Sequence, residues 1–116
     1  MAARFIKYWL PVIICAIFIF SVSSVPGTEL PGLFKGQDIV FHILGYAVFA
    51  FLINRALREY FSWRSRLTRL SWVFVIAIIY ALSDEFHQSF IPYRLASWKD
   101  IVSDGLGIFI ASIFSR

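Results

Sequence analysis

The chain has 116 residues, of which 59% are hydrophobic, 19% aromatic and only 16% charged, with a formal net charge of +4. A soluble domain averages roughly half apolar and a quarter charged, so this composition excludes an ordinary soluble globular protein and points to the membrane, and the length suits one unit, residues 1–116, with no second domain. The single cysteine, Cys15, excludes an intramolecular disulfide and a cysteine-rich metal site; inside an apolar run it reads as a small buried hydrophobe.

No charge interrupts the 21 residues from Tyr8 to Thr28, enough for a first spanning helix over residues 8–25. Arg4 and Lys7 ahead of it and Ser21-Val-Ser-Ser24 behind it also describe a signal peptide. The run is long for one, and a retained helix is expected. Pro26-Gly27 and Pro31-Gly32 then break the helix. The second apolar run predicts a helix over 38–57, on which Asp38, His42, Gly45 and Phe49 share one stripe with Tyr46 beside it. The third, over 70–90, ends in a dense polar stretch where Tyr80, Asp84 and His87 or Gln88 share a face. Ala77 and Ala81 offer a small-residue contact surface for another helix. The fourth, over 98–115, carries Asp100, Asp104, Gly107 and Ala111 on one stripe, acidic at the start and small further down.

Arg55, Arg58, Arg64, Arg66 and Arg69 lie between the second and third runs with only Glu59 opposing them. Arg4, Lys7 and Arg116 flank the outer ends of the first and last runs. The positive-inside rule places both termini and this loop in the cytoplasm. The expected fold is therefore all-α: a polytopic membrane protein of four transmembrane helices, N-in and C-in. The arginines with Tyr60, Phe61 and Trp63 can also be read as a nucleic-acid surface, but cytoplasmic membrane loops look the same for orientation alone. No nucleic acid is expected, and contact with anionic lipid is.

This topology gathers Asp38, His42, Asp84, Glu85, His87, Gln88, Arg94, Asp100 and Asp104 at the extracytoplasmic ends of helices two to four. At about 1.5 Å rise per residue, Asp104 lies about 9 Å into its helix, so the polar set occupies the outer third. The inner half reads as apolar on every helix. Ionisable groups at membrane depth are costly and usually serve a function.

Here the sequence resembles the VanZ-like family of small bacterial membrane proteins. Asp38-x-x-x-His42-x-x-x-Tyr46 is similar to one family block. Ala81-Leu-Ser-Asp84-Glu85-x-His87-Gln88-x-Phe90-x-Pro92-x-Arg94, with Ser97, Asp100, Asp104 and Gly107 after it, is similar to the second. Two positions depart: Ile39 stands where the family often has Lys, and Tyr93 where it often has Gly before the Arg. The family is named for a protein associated with low-level teicoplanin resistance, and its biochemical activity is not settled. The resemblance implies a bacterial cytoplasmic (inner) membrane protein in cell-envelope or glycopeptide-resistance biology. Its partners would be the lipid bilayer and a lipid-linked envelope precursor or lipoglycopeptide.

Three chemistries suit this residue set. Asp84, His87 and Asp104 are the candidate catalytic groups of an acid–base or metal-dependent hydrolase or transferase, with His87 as base and a carboxylate orienting it. Asp84 and His87, at i and i+3, also resemble helical-bundle metal ligation; with His42 and Asp104 they form the candidate set for a divalent metal bound by oxygen and nitrogen. Asp38, His42, Glu85, Gln88, Arg94 and Asp100 are the candidate ligand-binding groups of a non-catalytic module, Arg94 holding a phosphate or carboxylate. A third reading is a purely structural network, with Arg94 paired to Asp84 or Asp100 and His42 to Asp104. Asp38 also reads as a helix cap, and Gly107 as packing. The apolar inner half offers one chain no continuous polar path, though an oligomer can build one.

Overall fold

A computed structural model describes residues 2–29, 32–94 and 97–115. It holds four helices, α1 (Ala2–Ser23), α2 (Gln37–Tyr60), α3 (Arg66–Gln88) and α4 (Trp98–Phe114), with a 3-10 turn at Gly27–Glu29. No strand occurs among the described residues. Pro31, expected in the first loop, and Arg116, counted at the C-terminal end, lie outside them. α1, α2 and α3 are each long and apolar enough to cross a membrane; α4, with 17 residues, is at the short end of the spanning range.

α1 begins at Ala2 rather than near Tyr8, because Arg4 and Lys7 are good helix formers and are held at the end of α2. Arg4 donates to the Glu59 carbonyl and lies over the Tyr60 ring, 4.8 Å from its centre. Pro11 stands inside α1. It has no N–H to give the carbonyl four residues back, that of Lys7. Arg55 of α2 supplies the missing donor, its Nη2 reaching the Lys7 carbonyl at 3.0 Å.

α2 starts after Gly36 in a left-handed conformation (φ 82°) with no side-chain cap. Asp38, expected as the cap, instead sits in the first turn, where its negative charge meets the positive end of the helix dipole. α3 is capped by Ser65, which accepts from the Thr68 amide at 3.1 Å. The α4 cap, Ser97, accepts from the Lys99 amide at 3.1 Å.

α2 is the central helix and touches the other three. Its buried face runs through Tyr46, Phe49, Ala50, Ile53 and Leu57 and meets Val73, Ala77 and Ala81 of α3 and Ile108 of α4. These positions recur every three or four residues, one helical stripe each. The two alanines are wholly buried, as their small-residue spacing predicts. The closest approach is between α2 and α4: a Cβ on Gly107 would lie 2.2 Å from the Ile43 carbonyl oxygen, so only glycine lets the backbones meet there. Outward faces carry Ile, Leu, Val and Phe, suited to lipid.

The inner half is not apolar throughout. Arg69 donates from Nε to Asn54 Oδ1 at 2.8 Å, both side chains buried. α3 begins at Arg66, not at residue 70, which puts Arg69 inside the bundle rather than in the loop. Arg66 beside it donates to the Ser112 carbonyl at 3.1 Å and to that of Ser115.

Candidate functional site

At the end of the bundle away from the arginine-rich connection between α2 and α3, the N-terminal turns of α2 and α4 meet the C-terminal turns of α1 and α3. The α3 stripe that is Val73, Ala77 and Ala81 lower down continues as Asp84, Glu85 and Gln88, all buried. A cavity of about 460 Å³ opens there, its wall including Asp38, His42, Gln88, Arg94, Lys99 and Asp100.

Beneath it, His42 Nδ1 and Asp104 Oδ1 are 2.5 Å apart, with Asp104 only 1% exposed. One turn below His42, the Tyr46 hydroxyl donates to Asp84 Oδ2 at 3.3 Å. Ser23, at the end of α1, accepts from Gln88 Nε2 at 3.3 Å and stands near Asp84. Glu85 Oε1 accepts from the Ser97 amide at 2.7 Å, tying α3 to the start of α4, and the Asp100 carboxyl stands beside it.

Each of the three buried carboxylates keeps one oxygen without a partner among the described residues: Asp84 Oδ1, Glu85 Oε2 and Asp104 Oδ2. Buried acceptors are normally satisfied, and leaving a charged one unmade costs more than a neutral one. The layer beneath the cavity is therefore rich in acceptors and short of donors, while the cavity wall itself carries donors on Gln88, Arg94 and Lys99.

The structure thus brings Asp38, His42, Glu85, Gln88, Asp100 and Asp104 together at or under the cavity, with Asp84 joined through Tyr46. His87 turns instead to α1. Its Nε2 lies 2.9 Å from Ser24 Oγ, and its ring stacks on Phe20 at 4.2 Å between centres. Arg94 reaches the wall but pairs with neither Asp84 nor Asp100. It donates to the carbonyls of Val25 at 3.0 Å and Val22 at 2.6 Å, closing the C-terminal end of α1. The candidate metal set is divided in the same way: His42 and Asp104 touch, while His87 belongs to the α1 contact. Among the described residues no group of three or more His, Cys, Asp or Glu is arranged to hold a metal ion.

Sequence reasoning missed Ser23 and Ser24, read only as small residues at a chain break. Their signal was depth, since hydroxyls ending an apolar helix lie level with the acids ending α3. Lys99 on the cavity wall was likewise not singled out, and Tyr46 was placed beside the α2 stripe and in the first family-like block without a role.

The family profile described as VanZ/LLP1 matches residues 5–116. The chain belongs to the VanZ/LLP1 family. Comparison with curated proteins and with solved structures finds no match. Both family-like blocks lie at this end of the bundle: the first supplies His42 and Tyr46, the second the buried carboxylates, the Arg94 clamp and the Gly107 contact that holds α4 against α2.

Proposed function

We propose that this VanZ/LLP1 protein spans the bacterial inner membrane four times, with both termini and the arginine loop cytoplasmic. In this reading it binds the headgroup of a lipid-linked ligand at the outer leaflet. The observation that carries the reading is the set of three unpartnered carboxylate oxygens beneath an open cavity. A ligand that reaches past the wall to this buried acceptor layer would be dense in donors: hydroxyls, amide N–H groups or an ammonium. Lipid-linked envelope precursors and teicoplanin-type lipoglycopeptides have such headgroups on an apolar anchor. Exposed Phe90, Tyr93 and Trp98 at this end suit the membrane interface beside such an anchor.

The test is binding of teicoplanin and its deacylated form to protein in nanodiscs. Asp84→Asn, Glu85→Gln and Asp104→Asn each turn an acceptor oxygen into a donor and are expected to weaken binding about tenfold. Unchanged binding in all three folded variants would sink the reading. Its topology is tested separately in intact cells lacking Cys15: an impermeant maleimide should label Ser89→Cys and spare Ser62→Cys.

A second reading rests on the His42–Asp104 contact. Asp104 holds Nδ1 of a ring on the cavity wall, which leaves Nε2 for a ligand, the arrangement by which a carboxylate orients a histidine base. Acid–base hydrolysis or transfer on the bound headgroup would then centre on His42 rather than His87. His42→Gln would abolish turnover of a lipid-linked ester while binding persists.

A further inference from the structure

At the opposite end of the bundle a second cavity, of about 250 Å³, opens between the last turns of α2 and α4, lined by Phe51, Asn54, Arg55, Arg58, Phe114 and Ser115. We infer that this crevice binds the phosphate of an anionic phospholipid, Arg58 and Arg55 holding the headgroup while Phe51 and Phe114 meet the acyl chains.

Orientation in the membrane requires only a number of basic residues in the loop. It requires no concave site. Here two arginines line a concavity, and the flanking Phe51 and Phe114 are 53% and 83% exposed, so a polar slot opens beside a greasy surface. Arg55 gives one nitrogen to the Lys7 carbonyl out of five N–H donors. Among the described residues Arg58 has only a long contact to Glu59, at 3.6 Å. A guanidinium so placed can take phosphate oxygens two at a time.

The C-terminal carbonyls of α4 oppose an anion through the helix dipole, and Arg66 covers two of them. At the floor, Asn54 is held by Arg69. The positive field of Arg55, Arg58, Arg66 and Arg69 therefore converges on a crevice whose lining, among the described residues, contains no acid. The inference is independent of the ligand proposed for the other end and of which leaflet this end faces.

The experiment is native mass spectrometry of the detergent-purified protein titrated with phosphatidylglycerol or phosphatidylcholine, with soluble glycerophosphate as competitor. Phosphatidylglycerol should be retained in preference. Arg58→Gln should weaken that retention about fivefold, while Arg64→Gln, an identical charge change on an exposed residue outside the crevice, leaves it unchanged. Should Arg58→Gln fail to elute as a folded species, Arg58→Lys replaces it, with a loss of about twofold expected from the missing fork. Equal losses in the Arg58 and Arg64 variants would mean diffuse charge and overturn the site. Absence of a phosphatidylglycerol preference would also overturn it, and displacement by equimolar glycerophosphate would make free phosphate the ligand instead.

Discussion

Arg55 donates to the backbone carbonyl of Lys7 at 3.0 Å, the carbonyl that Pro11 leaves without its helical partner. A proline in one helix and an arginine in the next therefore form a single unit. Tyr8 belongs to it as well, its ring centre 5.0 Å from the Arg55 guanidinium. A contact that looks like surface charge on α2 is in fact the repair of a break in α1.

That relation is testable by a double-mutant cycle. Arg55→Gln alone should cost about 1–2 kcal/mol, the range for a hydrogen bond from a charged donor at an exposed site. In a Pro11→Ala background, where residue 11 supplies the N–H itself, the same change should cost less than half as much. Thermal unfolding in detergent measures both, and equal costs in the two backgrounds would remove the coupling.

For His42 and Asp104 the expectation concerns order. His42→Ala leaves a fully buried carboxylate with nothing to face it, a loss of about 3–5 kcal/mol. The double variant His42→Ala/Asp104→Ala should be more stable than His42→Ala alone, because it also removes the stranded charge. A double variant less stable than either single one would show that the pair is not an isolated charge contact.

The α2–α4 seam gives a sharper contrast. Gly107→Ala places a methyl against the Ile43 carbonyl and should cost about 1–3 kcal/mol, the overpacking range, with disturbed helix association. Gly45→Ala on α2, where a Cβ meets nothing within 4 Å, should leave stability unchanged or slightly raised, since alanine is the better helix former. Similar melting temperatures for the two variants would contradict the seam.

Tyr93 is the one non-glycine residue with positive φ among the described residues, at 59°, and its side chain is 79% exposed. Holding an L-residue there costs about 1–2 kcal/mol, partly offset because glycine loses more freedom on folding. Tyr93→Gly should therefore raise the melting temperature by roughly 2–5 °C, and a fall would mean that the exposed ring contributes more than the backbone loses.

The same position shows how far residue order alone carries. The family resemblance led to an expectation of glycine at Tyr93, and its left-handed backbone is a reason glycine would suit the place. The long apolar runs made α1 to α4 readable, because helix burial follows period and length. The floor acids were readable because charge in an apolar run is costly. What stayed hidden depended on direction. Spacing alone puts His87 on the face of Asp84, yet its ring turns to Phe20 and Ser24. Nor does spacing reveal that Arg94 closes a helix end rather than pairing with an acid, since backbone carbonyls leave no mark in a sequence. Arg69 was hidden by a helix boundary four residues off, which moved a buried group into a loop.

The Gly107 contact also bears on how the cavity behaves. Where two backbones touch, neither helix can slide or rotate by much without collision, so His42 and Asp104, one turn above, keep their height and spacing. The upper wall is different: Arg94 hangs from the loop after α3, and Asp38 and Lys99 lie on the outermost turns of their helices. The recess thus has a base set by touching backbones and a mouth set by side chains on helix ends and a loop. For the lipid-linked ligand proposed above, such a recess would select by the group that reaches its base and not by what trails out of its mouth, so one headgroup on tails of many lengths is the variation it would tolerate.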